Sequence, residues 1–290
     1  MDDTSNQYKM KNLLFLILSS ILFNACTQTI EVIFDNKFQP SLEYTTEMVS
    51  TSKNKVNFTD PEEQINNIKS SGIKLPMIIE GSTSMTSTIK TFELEEDSTF
   101  KAKMTYDNVK SIQVQNGERT EKESPIAGMQ IEGFYNSLNK FKIDTIISDK
   151  IDDATRQALT YTIENVQNQI NFPDYPLKIG DSFEQEIPMN IPVAGISNVG
   201  IVIKTTYELA NISGNIATFD FDQDIQLNMD IEQTTVSATG SGTGTSQFNL
   251  SKKFIMKHEA DLTIELEMQV EELKVNAEIS AISSQNVTIK

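Results

Sequence analysis

The stretch Ile216–Ile231, IATFDFDQDIQLNMDI, decides the fold. Ala217, Phe219, Phe221, Ile225, Leu227, Met229 and Ile231 occupy alternate positions, and polar residues, Asp220, Asp222 and Asp224 among them, fill the gaps. Successive side chains of an extended chain point to opposite faces, so period-two alternation marks a strand with one apolar and one wet face. Before it, Ile201, Ile203, Thr205, Tyr207 and Leu209 alternate in the same way, and Ile212-Ser213-Gly214-Asn215 joins the two runs. A glycine-containing turn between alternating runs predicts a long hairpin.

The pattern recurs outward in both directions. Leu42, Tyr44, Thr46 and Met48 form one run, Ile79 to Ile89 a second, and Phe100, Ala102, Met104 and Tyr106 a third. Near the C-terminus, Leu262 to Val270 uses even positions and Leu273 to Ala281 odd ones. A one-residue change of phase moves every side chain to the opposite face, so a bulge or tight turn is expected at Glu271-Glu272. One segment keeps a different period. Leu159, Ile163, Val166 and Ile170 recur at helical spacing within 152–170, capped by Ser148 or Asp152 and followed by Pro173. A second, weaker helix is expected over Pro61–Ser70. The predicted class is mainly β (α+β), a large curved antiparallel sheet or half-barrel with one long amphipathic helix packed on its concave face.

Composition narrows the function. The chain has 290 residues, a formal net charge of −17, one His, one Cys and no Trp. No cluster of Lys and Arg offers a phosphate footprint, which argues against nucleic acid. The acidic balance also argues against electrostatic docking on an anionic membrane. With a single Cys, no internal disulfide can form.

That Cys has a particular address. Lys9-Met10-Lys11 precedes an 11-residue apolar run, Leu13–Phe23, which ends in Phe23-Asn24-Ala25-Cys26. As a helix the run spans ~16 Å, half of a ~30 Å hydrocarbon core, which is signal-peptide length and not a permanent span. A small residue followed at once by Cys resembles the lipobox of bacterial lipoproteins, in its looser Bacteroidetes-type form. The resemblance implies cleavage before Cys26, acylation of its thiol, and an outer-membrane anchor facing the periplasm, since Thr27 and not Asp follows the Cys. Met10 is then a natural start site. The expected organisation is a signal peptide at 1–25, a lipidated Cys and tether at 26–40, and a single β-rich domain at 41–290.

Two further motifs resemble a family of uncharacterised lipoproteins of the same type. These are the turn Pro173-Asp174-Tyr175-Pro176-Leu177-Lys178-Ile179-Gly180-Asp181-Ser182-Phe183 and the strand Gly240-Ser241-Gly242-Thr243-Gly244. At fold level the layout is similar to lipoprotein-localisation-factor half-barrels, and that likeness implies a cavity for acyl chains. The family resemblance implies no catalytic residue.

The residues themselves offer little chemistry. His258 lies in a strand-like segment, with no nucleophile-elbow motif for it to serve. Asp220, Asp222 and Asp224 imitate a calcium loop, but Ile225 and Ile231 stand where Gly and Glu are required, so a solvated strand face is expected. Gly240, Gly242 and Gly244 have no Lys-Ser/Thr and no helix after them, so they are not a phosphate loop. They leave one strand face bare, either for close packing or for a ligand chain. The expectation is a non-enzymatic lipoprotein without cofactor or metal. It binds an apolar ligand or lipid-bearing partner on a surface formed by Gly240, Gly242, Gly244, Leu159, Ile163, Val166, Phe219 and Phe221. The alternative is an envelope scaffold with a fully packed core.

Overall fold

The computed structural model describes residues 30–115, 117–165, 170–191, 199–231, 234–270 and 272–290. The compact body begins at Val32. Its elements in chain order are β1 (Glu43–Asp60), α1 (Glu62–Ser70), β2 (Met77–Leu94), β3 (Phe100–Gln115), β4 (Glu118–Glu123), β5 (Gln130–Tyr135) and β6 (Phe141–Ile147). After these come α2 (Asp153–Asn165), β7 (Ser182–Ile191), β8 (Val199–Ser213), β9 (Ile216–Ile231), β10 (Thr234–Asn249), β11 (Phe254–Val270) and β12 (Leu273–Ile289).

The strands form one unclosed sheet in the order β6-β5-β3-β2-β1-β12-β11-β10-β9-β8-β7, with β4 paired to β3 outside this path. All pairings are antiparallel. The first and last strands meet in the middle, Tyr44 opposite Ile289, while the edges β6 and β7 are neighbours in sequence. The β8–β9 hairpin turns at Gly214, whose φ of +56° is left-handed. The phase change falls between Val270 and Leu273, which stand opposite each other across β11 and β12. Gly180 has φ +90°, and the Asp181 N–H donates to the Lys178 carbonyl, so the Gly-Asp motif is the turn that opens β7.

Every buried cluster lies on one face, here called the inner face. One cluster joins Phe183, Tyr207, Leu209, Phe219, Phe221 and Phe248, and a second joins Ile203, Ile225, Val236, Ala238, Ile264, Met268 and Val275. A third, under β3, β5 and β6, includes Phe100, Ile131, Tyr135 and Phe141. The opposite, outer face carries cross-strand ion pairs such as Lys53–Glu80, Lys55–Glu278 and Lys204–Glu184.

Residues 32–40, expected to be part of a tether, are packed inside the body. Val32 pairs with Leu177, and Phe34, only 3% exposed, touches Phe172, Phe219 and Phe248. Further along, the Phe38 ring lies 4.9 Å from both Tyr135 of β5 and Phe254 of β11. Those strands are five places apart in the sheet, about 24 Å if it were flat. One ring can touch both only because the sheet curls around it. Asn139 fixes the strap there, accepting from the Phe38 N–H at 3.1 Å and donating to the Phe38 carbonyl at 2.8 Å.

The helix expectation needs correction. Among the described residues there are two short helices, and neither is the long one expected over 152–170. Asp152 caps α2 by accepting from the Thr155 N–H at 2.8 Å. The helix is described only to Asn165, and Ile170 is buried with Phe34 and Leu177 in the first cluster. The apolar period therefore serves two different clusters. Moreover, α2 sits at the sheet's edge, against β6, with Leu159 and Ile163 packed on the cluster under β3, β5 and β6. There Glu164 accepts from the Ile143 N–H at 2.9 Å, and the Arg156 guanidinium donates to the Ile146 carbonyl. The helix thus satisfies part of an edge that would otherwise be open to another strand.

Candidate functional site

The register divides the inner face into three bands. The first is the strap end, where the β2–β3, β5–β6, β8–β9 and β10–β11 turns lie and where the aromatic clusters close over residues 32–40. At the opposite, far end the side chains are mostly aliphatic. Val56, Phe58, Leu227, Leu266, Leu273 and Ile279 are only partly buried there, against the buried Ile225, Val236 and Ile264.

Between the two lies a waist of small side chains. One registered row runs Thr205, Gln223, Gly242, Leu262, Ala281, Ser52 and Gly81. The next runs Tyr207, Phe221, Gly244, Ala260, Ser283, Ser50 and Thr83. Across β12, β1 and β2 these rows are Ala, Ser, Thr and Gly, and the residues are half-buried. Small residues in adjacent rows give this band, called the trough below, less side-chain volume than either end.

The three glycines lie on this inner face, and neighbouring strands use the space they leave. A Cβ at Gly240 would come within 2.6 Å of the Thr263 carbonyl, and one at Gly242 within 2.8 Å of Gln223 Oε1 and 3.0 Å of Leu262 Cδ1. At Gly244 it would collide with the Phe221 ring and the Glu259 carbonyl. Phe221 lies over that bare backbone and stacks on His258, with ring centroids 5.0 Å apart and planes at 6°. Ser246 Oγ and His258 Nδ1 share a hydrogen bond of 2.7 Å. Ser246 is 1% exposed, so this hydroxyl is turned into the fold and bonds a half-buried imidazole. Burial holds the His258 pKa below its usual value and keeps the ring neutral.

The residues expected to share one lining are therefore only partly together. Phe219 and Phe221 belong to the cluster beside Gly244, whereas Leu159 and Ile163 join the cluster under β3, β5 and β6. Val166 and Cys26 lie outside the described residues. The sequence reading missed Ser50, Ser52, Ala281 and Ser283, whose runs carry too little apolar contrast to register as lining. Asp220, Asp222 and Asp224 are exposed on the outer face, opposite Thr245, Thr243 and Ser241.

The outer face carries a separate, polar groove of about 490 Å³, lined by Lys55, Asn57, Ser237, Thr239, Glu265, Glu267, Asn276 and Glu278 beside Leu266 and Ala277. Asn276 Oδ1 and Thr59 Oγ1 are buried without hydrogen-bond partners. Both stand beside the irregularity that skips Thr59 in the β1–β12 pairing. Water is the natural partner for both atoms.

No family model and no curated protein matches the sequence. Among solved structures, the translocator domain of the autotransporter NalP from Neisseria meningitidis is 10% identical, with 97% of each chain covered and a TM-score of 0.21. An outer-membrane channel from Pseudomonas putida F1 is 8% identical over 89% of this chain and 100% of its own, with a TM-score of 0.25. The β domain of the Bordetella autotransporter BrkA is 5% identical over 82% of this chain and 98% of its own, with a TM-score of 0.17. TM-scores in this range do not place two chains in the same fold.

Proposed function

We propose that this chain is an envelope lipoprotein, anchored in the outer membrane through acylated Cys26 and facing the periplasm, whose inner sheet face binds an apolar ligand or the acyl chain of a lipid-bearing partner. The observation that carries the reading is the trough of Ser50, Ser52, Gly81, Thr83, Ala281 and Ser283 running up to partly buried Val56, Leu266 and Ile279. A floor of small residues with an aliphatic wall at one end suits an unbranched apolar chain better than a planar or charged ligand. The lipobox resemblance at Cys26 supports the anchor, and the localisation-factor likeness of the layout points to the same class of ligand.

Native mass spectrometry of residues 27–290, made in a bacterial periplasm and purified without detergent, tests the binding reading. The expected result is extra mass that organic solvent removes and that matches a lipid or fatty acid. A clean apo mass overturns it in favour of the scaffold reading, which the dense aromatic packing of the strap end independently suits.

A further inference from the structure

Large apolar side chains are exposed at the strap end. Ile33 is 64% exposed, Phe92 44%, Leu94 59%, Leu138 75%, Tyr175 50% and Ile179 53%. All six stand on turns or strand ends at this one end: the β2 terminus, the β5–β6 loop, the start of the strap, and the segment leading into β7. At the far end Ile73, Ile78 and Val202 are exposed, by 40%, 39% and 46%, and Val49, Ile147 and Ile282 are exposed singly along the strands, so the strap end carries the largest group among the described residues. Scattered exposed apolar residues are ordinary, but their collection at one end of an acidic body is not.

We infer that the strap end rests on a zwitterionic phospholipid bilayer, with these six side chains entering the boundary between headgroups and acyl chains. The inference rests on the reading of Cys26 as a lipid anchor. Five residues separate Cys26 from Val32, so extended chain carries the anchor at most ~20 Å from the point where the chain joins the body. That point, the pairing of Val32 with Leu177, is at the strap end. The 18 residues of β1 put the far end roughly 55 Å away, beyond the reach of the anchor. An acylated chain therefore holds this end, and no other, against the membrane.

Charge fits the same occupant. The whole chain carries −17, yet this end balances Asp35 with Lys37 and Glu95 with Lys101, and adds Lys140, Lys178, Lys252 and Lys253 to Glu93, Glu96, Asp97, Asp174 and Asp181. A near-neutral apolar rim is neither repelled by a zwitterionic surface nor dependent on anionic lipid.

The test uses the full acylated chain reconstituted in phosphatidylcholine vesicles. Leu138→Cys and, as the far-end control, Ile78→Cys are labelled with an environment-sensitive fluorophore. Both positions are exposed, so neither change threatens the fold. Blue-shifted emission at 138, quenched by lipids brominated high in the acyl chain, with water-like emission at 78, is the expected result. Water-like, unquenched emission at 138 on vesicle-bound protein overturns the inference. So does a blue shift that appears only when envelope proteins are added and that brominated lipid does not quench, because it assigns the rim to a protein partner. The parent chain separates the two ideas. If its only Cys takes up label after denaturation, the anchor reading has failed and this inference falls with it. If it does not, the anchor stands and only position 138 decides.

Discussion

The strap end and the far end of the inner face are built from the same alternating strands, yet they are finished differently. At the strap end a separate piece of chain, residues 32–40, passes through the curl of the sheet, and aromatic rings close on it from β1, β5, β9, β10 and β11. At the far end the described aliphatic side chains belong to the strands themselves, and many stay partly exposed. Among the described residues, a separate segment fills the curl at the strap end only. The difference shows that a third element lets large aromatic rings leave solvent, while the sheet alone dries only part of its aliphatic face.

The largest effect that can break this comparison is expected at Phe34. Its ring has three aromatic neighbours, with centroids 4.9 to 5.3 Å away, so Phe34→Ala should cost about 3–5 kcal/mol in denaturant unfolding. Leu266→Ala, at a partly exposed far-end site, should cost less than about 2 kcal/mol. Equal losses in the two midpoints would mean that the ends are equally packed and the distinction is wrong.

A second effect, of intermediate size, sharpens the boundary between plug and trough. Gly244→Ala drives a methyl group into the Phe221 ring and the Glu259 carbonyl, and backbone cannot yield cheaply, so a loss of about 1–3 kcal/mol is expected. Gly81→Ala meets only Ser52 Oγ, at 3.0 Å, a side chain free to rotate into the trough. A neutral Gly81→Ala beside a destabilising Gly244→Ala, read from the same unfolding curves, locates the trough on β12, β1 and β2. The reverse order removes it.

The smallest effect concerns pH. His258 is neutral and stacked in the fold, with a pKa depressed by burial, so the unfolded chain binds the proton more tightly than the folded one. Its contribution to stability is complete above the unfolded pKa, near 6.5, and is lost as pH falls from there through the lower folded value. The inner-face groups facing it are Ser246, Phe221 and Gln285, none of them charged at these pH values. Unfolding midpoints at pH 7 and pH 5 should therefore differ more for the parent than for His258→Gln. An identical drop in both would assign the acid sensitivity to other groups.

Much of the sheet is legible in the sequence because period two leaves a mark wherever one face is apolar. The β8–β9 hairpin, the phase change between Val270 and Leu273 and the Gly180 turn all follow from local pattern. Residues 32–40 do not, because a segment that packs through Phe34 and Phe38 alone has no periodicity. The 152–170 run misleads for a related reason: Leu159 and Ile163 face one cluster and Ile170 another, and spacing alone does not say that the partners differ. The trough was half visible. Its glycines signalled a bare strand, but which neighbours would use that space depends on register, and register is set by pairings far apart in the chain.

Pairing of the first strand with the last has a consequence for biogenesis. The central ladder, Tyr44 with Ile289 through Asp60 with Lys274, joins residues more than 200 positions apart, so it cannot form until the final strand has been synthesised. Loop closure over that distance is slow, whereas the hairpins on either side of the midline close locally, so the two halves of the sheet join last. The seam that makes one sheet of the two halves is therefore the last part of the fold to close.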